Sequence, residues 1–199
     1  MSSAAWAEFE QDLRRAIEGF GARSSSNLVL GEGNRQAEVV LIGEAPGAQE
    51  DKAERPFVGP AGKVLNELLE EAGLKRKSVW VTNVVKRRPT IEKNGRLSNR
   101  PPTQAEFDDF LPWLQRELEL VKPEMLVCLG ATAARAILGR KSVTMKDLRG
   151  HWLEGFLGID TMVTYHPSFL LRRTTSRDER YADVVADLKM VMDRLAVSR

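Results

Sequence analysis

Cysteine is almost absent. The 199-residue chain has one, Cys128, inside the apolar run MLVCLG, where it reads as a small core residue. A lone thiol excludes a disulfide within a monomer and a cysteine-ligated metal cluster, which needs several thiolates. Histidine is nearly as scarce: His151 and His166 are the only two, which argues against a multi-histidine metal site. No apolar run approaches the roughly 20 residues of a membrane span. The N-terminus MSSAAWAEFEQDLRR is not a signal peptide. The expectation is a soluble, cytoplasmic, colourless monomer with no metal, no cofactor and no membrane partner. With 42% hydrophobic residues it is long enough to bury a core as a single α/β domain over residues 1–199.

A strong charge of either sign is also lacking, since the formal net charge is +2, but that figure hides an asymmetry. Residues 1–74 hold 13 acids and 7 bases, whereas residues 75–100, KRKSVWVTNVVKRRPTIEKNGRLSNR, hold 9 bases and only Glu92 as an acid. A basic block of that density suggests a polyanion partner, although a solvated loop is the commoner fate of a charge run.

What is present is an alternation of strand and helix patterns. An amphipathic helix over about residues 4–20 opens the chain, with Trp6, Phe9, Leu13 and Ile17 at three- and four-residue spacing. The apolar runs AEVVLI, SVWVTN, EMLVCLG and TMVTYHP read as strands, with a weaker one around HWLEGF. GKVLNELLEEAG, closed by Gly73, and ATAARAIL read as helices between them, and residues 177–196 as an amphipathic closing helix. TQAEFDDFLPWLQRELELV is helical with a Thr103/Glu106 capping box, and Pro112 should kink or divide it. Residues 43–61 and 84–102 read as loops. This order predicts a parallel sheet covered by helices on both faces, a three-layer α/β/α sandwich.

In such sheets ligands bind beyond the carboxyl ends of the strands. Those ends are Gly43-Glu44, Asn83, Gly130-Ala131-Thr132 and His166-Pro167-Ser168, and the basic block follows directly from Asn83. The polar residues and the basic block thus share one rim.

The stretches GEAPGAQED, RPFVGPAGKVL, VTNVVKRRP, NRPPT, LVCLGATAARAIL, LRGHW and TYHPSFLLR together resemble the uracil-DNA glycosylase superfamily, most closely its bacterial and archaeal family 4. The resemblance runs from about residue 28 to 195. It implies a four-stranded parallel sheet and hydrolysis of the bond between a damaged base and deoxyribose in DNA, leaving an abasic site. Family 4 enzymes typically hold a four-iron, four-sulfur cluster on four cysteines. Here the corresponding regions read RSSSN, KRRP with Arg87, and EFDDFLPW, without a cysteine, so the chain resembles a cluster-free branch. A DNA-trapping relative uses a histidine in an R-R-I-H loop after strand two. Lys86, Arg87 and Arg88 stand there without one, which favours turnover over covalent trapping.

Such enzymes rotate the nucleotide out of the duplex into a pocket. Asn83 suits the reading of uracil: its carbonyl accepts from N3–H and its NH2 donates to O4. Phe57 offers a stacking face worth roughly 1–3 kcal/mol, and Gly43 and Ala45 complete the pocket. His166 is the expected electrophile, donating to O2 as negative charge develops. The superfamily's best-known branch orients the attacking water with an aspartate at the position of Ala45, so Glu44, Glu50 or Asp51 must do so here. An apolar wedge, Leu170 or Leu171 and with them Phe169, fills the space left by the flipped base, although one of the two leucines should be a buried helix start. Lys86, Arg87, Arg88, Ser168, Arg172 and Arg173 are expected on phosphates. A non-catalytic binder of uracil-containing DNA and a hydrolase of free nucleosides are the competing readings. Hypoxanthine and xanthine stay open beside uracil.

Overall fold

The computed structural model describes residues 3–19, 26–171 and 177–197. Helix α1 (Ser3–Gly19) buries Trp6, Phe9, Leu13 and Ile17, the stripe its spacing predicts. The edge strand β1 (Glu32–Gly33) precedes β2 (Val39–Gly43), and α2 (Ala48–Ala53) and α3 (Pro60–Glu71) lead to β3 (Trp80–Asn83). A hairpin of β4 (Thr90–Lys93) and β5 (Arg96–Asn99) follows, then α4 (Gln104–Val121), β6 (Met125–Leu129) and α5 (Ala131–Ile137). The chain closes with α6 (Met145–Leu148), β7 (Trp152–Glu154), β8 (Asp160–Thr164) and α7 (Arg177–Val197).

The sheet order is β1-β3-β2-β6-β8-β7. Its four central strands are parallel, in register Gly43↔Asn83, Ile42↔Cys128 and Leu129↔Thr164. The expected four-stranded parallel core is therefore present, but β1 and β7 extend it antiparallel at both edges. Alternation explains the uninterrupted apolar runs of β2 and β6. Val40, Ile42, Leu126 and Cys128 face the layer of α1, α4 and α5, while Val39, Leu41, Met125 and Val127 face that of α3 and α7. Both faces of these strands are buried, so no polar residue is tolerated on either.

The Thr103/Glu106 capping box forms as predicted. Pro112 does not divide α4: it lies on the exposed side of the helix, as does Asp108, the residue whose carbonyl loses its donor. Two expected loops contain structure. Helix α2 lies within residues 43–61, started at Gly47 with Glu50 and Asp51 in its first turn, where acids complement the helix dipole. Within residues 84–102 the chain forms β4 and β5. Among the described residues no helix is long and apolar enough to cross a membrane.

Candidate active site

A cavity of about 510 Å³ opens at the carboxyl ends of the four parallel strands. Its walls include Glu44, Ala45, Glu50, Phe57, Asn83 and His166, so residues from four separate segments converge there.

Asn83 ends β3 in register with Gly43 of β2 and is buried, 3% exposed. Its side chain crosses over Gly43 so closely that a Cβ there would lie 2.4 Å from Asn83 Oδ1 and 2.6 Å from Phe57 Cζ. Only glycine fits, and its absent side chain is what allows amide and ring to face one cavity. Among the described residues no hydrogen bond to the Asn83 amide is made: packing against Gly43 and Phe57 holds its plane. Phe57 has a left-handed backbone (φ 53°). The turn that produces it brings its carbonyl against α3, where a Cβ on Gly62 would lie 1.8 Å from the Phe57 oxygen.

His166 follows β8. The backbone N–H of Ser168 donates to its Nδ1 over 3.1 Å, and the Ser168 hydroxyl lies 2.8 Å from the same nitrogen. Nδ1 is therefore an acceptor, and the neutral ring carries its proton on Nε2. Burial pushes the imidazole pKa down to about 4, with the Glu50 carboxylate opposing that shift. The ring sits 5.9 Å from the Phe57 ring, centroid to centroid. The site thus contains a neutral N–H donor beside an aromatic face and an amide.

The three acids separate. Glu44 and Glu50 line the cavity. One Glu50 oxygen accepts from the Gly59 N–H over 2.7 Å, which fixes the carboxylate at the start of α3. Asp51 lies outside the cavity wall. Its side chain accepts from the Asn27 N–H at 2.7 Å while its carbonyl accepts from the Asn27 amide, so it ties two loops together. The expectation that Asp51 handles water is corrected.

Lys86 is the largest correction. Expected on a phosphate, it is fully buried, with Nζ donating to Glu117 Oε2 (2.5 Å), Thr82 Oγ1 (2.6 Å) and the Asn83 carbonyl (2.7 Å). Trp80 Nε1 donates to the other Glu117 oxygen. Burial pulls the ammonium below the usual lysine range, and Glu117 opposes it. Sequence reasoning missed Glu117 altogether, because an acid in mid-helix carries no local sign of burial.

Arg88 donates to Asn99 over 2.7 Å and lies 4.0 Å from Asp51, while Arg87 is half-buried with its Nε unpaired among the described residues. Leu170 is the buried one of the two leucines, 1% exposed near the end of the short 3-10 helix Pro167–Leu171 rather than at a helix start, and is not a wedge. Phe169 and Leu171 are each 46% exposed, and Phe169 also lines the cavity. Arg172 and Arg173 lie outside the described residues. Ser168 was expected on a phosphate, and its first partner here is His166. Asn99 and Arg100, from the NRPPT stretch, also line the cavity and could have been picked out by that motif.

Fold and site together define an α/β protein with a cleft at the carboxyl rim of a parallel sheet, the place where folds of this class bind their ligands. The chain belongs to the uracil DNA glycosylase superfamily, whose family model matches residues 30–189. It is 40% identical over 155 residues to the type-4 uracil-DNA glycosylase of Thermotoga maritima, covering 78% of this chain and 77% of that one. It is similarly 37% identical over 174 residues to that of Pyrobaculum aerophilum (84% and 85% covered) and 38% identical over 167 residues to that of Archaeoglobus fulgidus (81% and 80%).

The iron–sulfur cluster that family 4 implies does not fit this donor set. The one cysteine, Cys128, lies within β6, fully buried, and burial raises its thiol pKa, which disfavours the thiolate a cluster needs. Where the resemblance places cluster cysteines, this chain has the half-buried Arg87 and, in α4, the buried Phe107 and Phe110.

Proposed function

We propose that this protein is a monofunctional glycosylase that hydrolyses the N-glycosidic bond of uracil in DNA and leaves an abasic site. The observation that carries this reading is the His166 tautomer. A backbone donor occupies Nδ1, and the Nε2–H is left for an anion at the cavity wall.

The flipped uracil stacks on Phe57. Its N3–H donates to the Asn83 carbonyl and its O4 accepts from the Asn83 NH2. The bond between C1′ and N1 breaks with its electron pair going to the base, so negative charge spreads onto O2, where His166 Nε2–H donates. Deoxyribose becomes cationic at C1′ and water adds there, its proton passing to the carboxylate that holds it and on to the uracil anion, giving the abasic sugar and neutral uracil. Glu50 orients that water: one oxygen is anchored by Gly59 and the other is left to accept from it. Its charge also stabilises the oxocarbenium-like sugar. Glu44, on the same wall, is the alternative acid, and single-turnover rates of Glu50→Gln and Glu44→Gln decide between them. Ala45 leaves space beside the base for a larger deaminated purine.

A duplex with one central uracil tests the proposal. Release of free uracil, with strand breaks appearing only after alkali, is the expected result. Tight binding without abasic sites would make the protein a binder instead. Activity on free deoxyuridine that excess DNA does not inhibit would make it a nucleoside hydrolase.

A further inference from the structure

Among the described residues the β4–β5 ribbon pairs with no other strand. All of its strand residues except Thr90 are exposed. A two-stranded ribbon with no hydrophobic face against a core is marginal in water. The turn itself is well specified, because Asn94 and Gly95 both have positive φ, as a two-residue type I′ hairpin requires.

The register places Lys93 directly opposite Arg96 beside that turn. Like charges facing across a ribbon repel, and neither side chain forms an ion pair among the described residues. The one acid of the ribbon, Glu92, pairs with Leu97 on the other face. Two cations therefore share the tip of one face, with Ile91, 42% exposed, behind them. Asn99, at the base, is a wall of the cavity. At about 3.3 Å per residue the tip stands about 10 Å from that wall, or about three nucleotide steps along a duplex.

We propose that this ribbon is a DNA-clasping arm. Lys93 and Arg96 close together on one backbone phosphate of the substrate, about three nucleotides from the flipped base, and Ile91 lies against the sugars between. The anion removes the repulsion between the two cations, which leaves the free ribbon without compensation. The inference rests on the reading that DNA is the substrate.

The test compares the wild type with Lys93→Ala/Arg96→Ala on a duplex carrying an uncleavable abasic-site analogue, by fluorescence anisotropy across a salt series. The slope of log K against log salt should fall by about one unit, with the affinity loss greater at 50 mM than at 200 mM salt. Single-turnover excision of uracil at saturating enzyme should stay at the wild-type rate, and the thermal midpoint should not move. An unchanged slope and affinity overturn the arm. So does a slower excision rate at saturation with the salt slope intact. Binding is read without turnover, so a wild type that binds DNA but excises nothing defeats the proposed function and leaves the arm to be judged on its own slope.

Discussion

Lys86 and Lys93 belong to one basic stretch and end in opposite environments. Lys86 is fully buried against Glu117, while Lys93 is exposed at a hairpin tip. The difference arises from what the chain does after β3. Three residues past Asn83 the Lys86 side chain is enclosed between the end of β3 and α4, where Thr82, the Asn83 carbonyl and Glu117 offset its desolvation. By Lys93 the chain has left the core, and its partner in register, Arg96, is another cation. Charge density in a sequence therefore overstates a nucleic-acid footprint until internal pairs are removed. Here Lys86–Glu117, Arg88–Asp51 and Arg100–Glu106 are such pairs.

The widest separation should come from stability. Lys86→Ala leaves Glu117 buried without its cation and should cost about 3–5 kcal/mol. Lys93→Ala, an exposed change, should stay within about 0.5 kcal/mol. Denaturant midpoints of the two variants test this directly, and Lys86→Met/Glu117→Leu should recover most of the loss. Equal midpoints for the two alanine variants would erase the contrast.

His166→Ala moves the comparison to the cavity. It should retain DNA binding and raise the excision barrier by about 2.7–4 kcal/mol, the scale of one lost oxyanion donor. The native imidazole protonates only near pH 4, against 6.5 when unperturbed. Between those values the unfolded chain binds the extra proton, so this group's contribution lowers folding stability as pH falls through the window and is flat above it. The pH profile of single-turnover excision should accordingly show no inflection near 6.5.

Asn83→Asp is nearly isosteric, so it fits the slot between Gly43 and Phe57 while removing the donor to O4. Uracil excision should fall steeply, whereas cytosine, whose amine can donate to the carboxylate, should lose less. A wild-type ratio of the two rates would remove Asn83 as the reader of the base. The smallest effect concerns the half-buried arginines. Arg87→Ala should lower the salt slope of DNA binding by about one unit. Arg88→Ala should lower it less and shift the thermal midpoint instead, because its guanidinium already holds Asn99.

The parallel core was readable because β2, β3, β6 and β8 are apolar runs with turn or polar residues at their ends, and those ends carry Asn83 and His166. Short elements were not. Helix α2 has six residues, none of them buried, and β1 has two, so neither produces a periodic signal. The hairpin did leave one, Asn94-Gly95 between Ile91 and Leu97, but the surrounding charges made it read as loop. Lys86 could not be placed, because its burial depends on a partner 31 positions away.

Cys128 gives the protein a built-in clock. Its thiol is fully enclosed in the central strand β6, and burial keeps it protonated, so a thiol reagent reaches it only when the sheet opens. The rate of alkylation in native buffer reports that opening with no engineered label. At reagent concentrations where labelling outpaces reclosure, the rate levels off at the opening rate itself. A single endogenous thiol thus converts the chain's poverty in cysteine into a direct measure of how long its core stays shut.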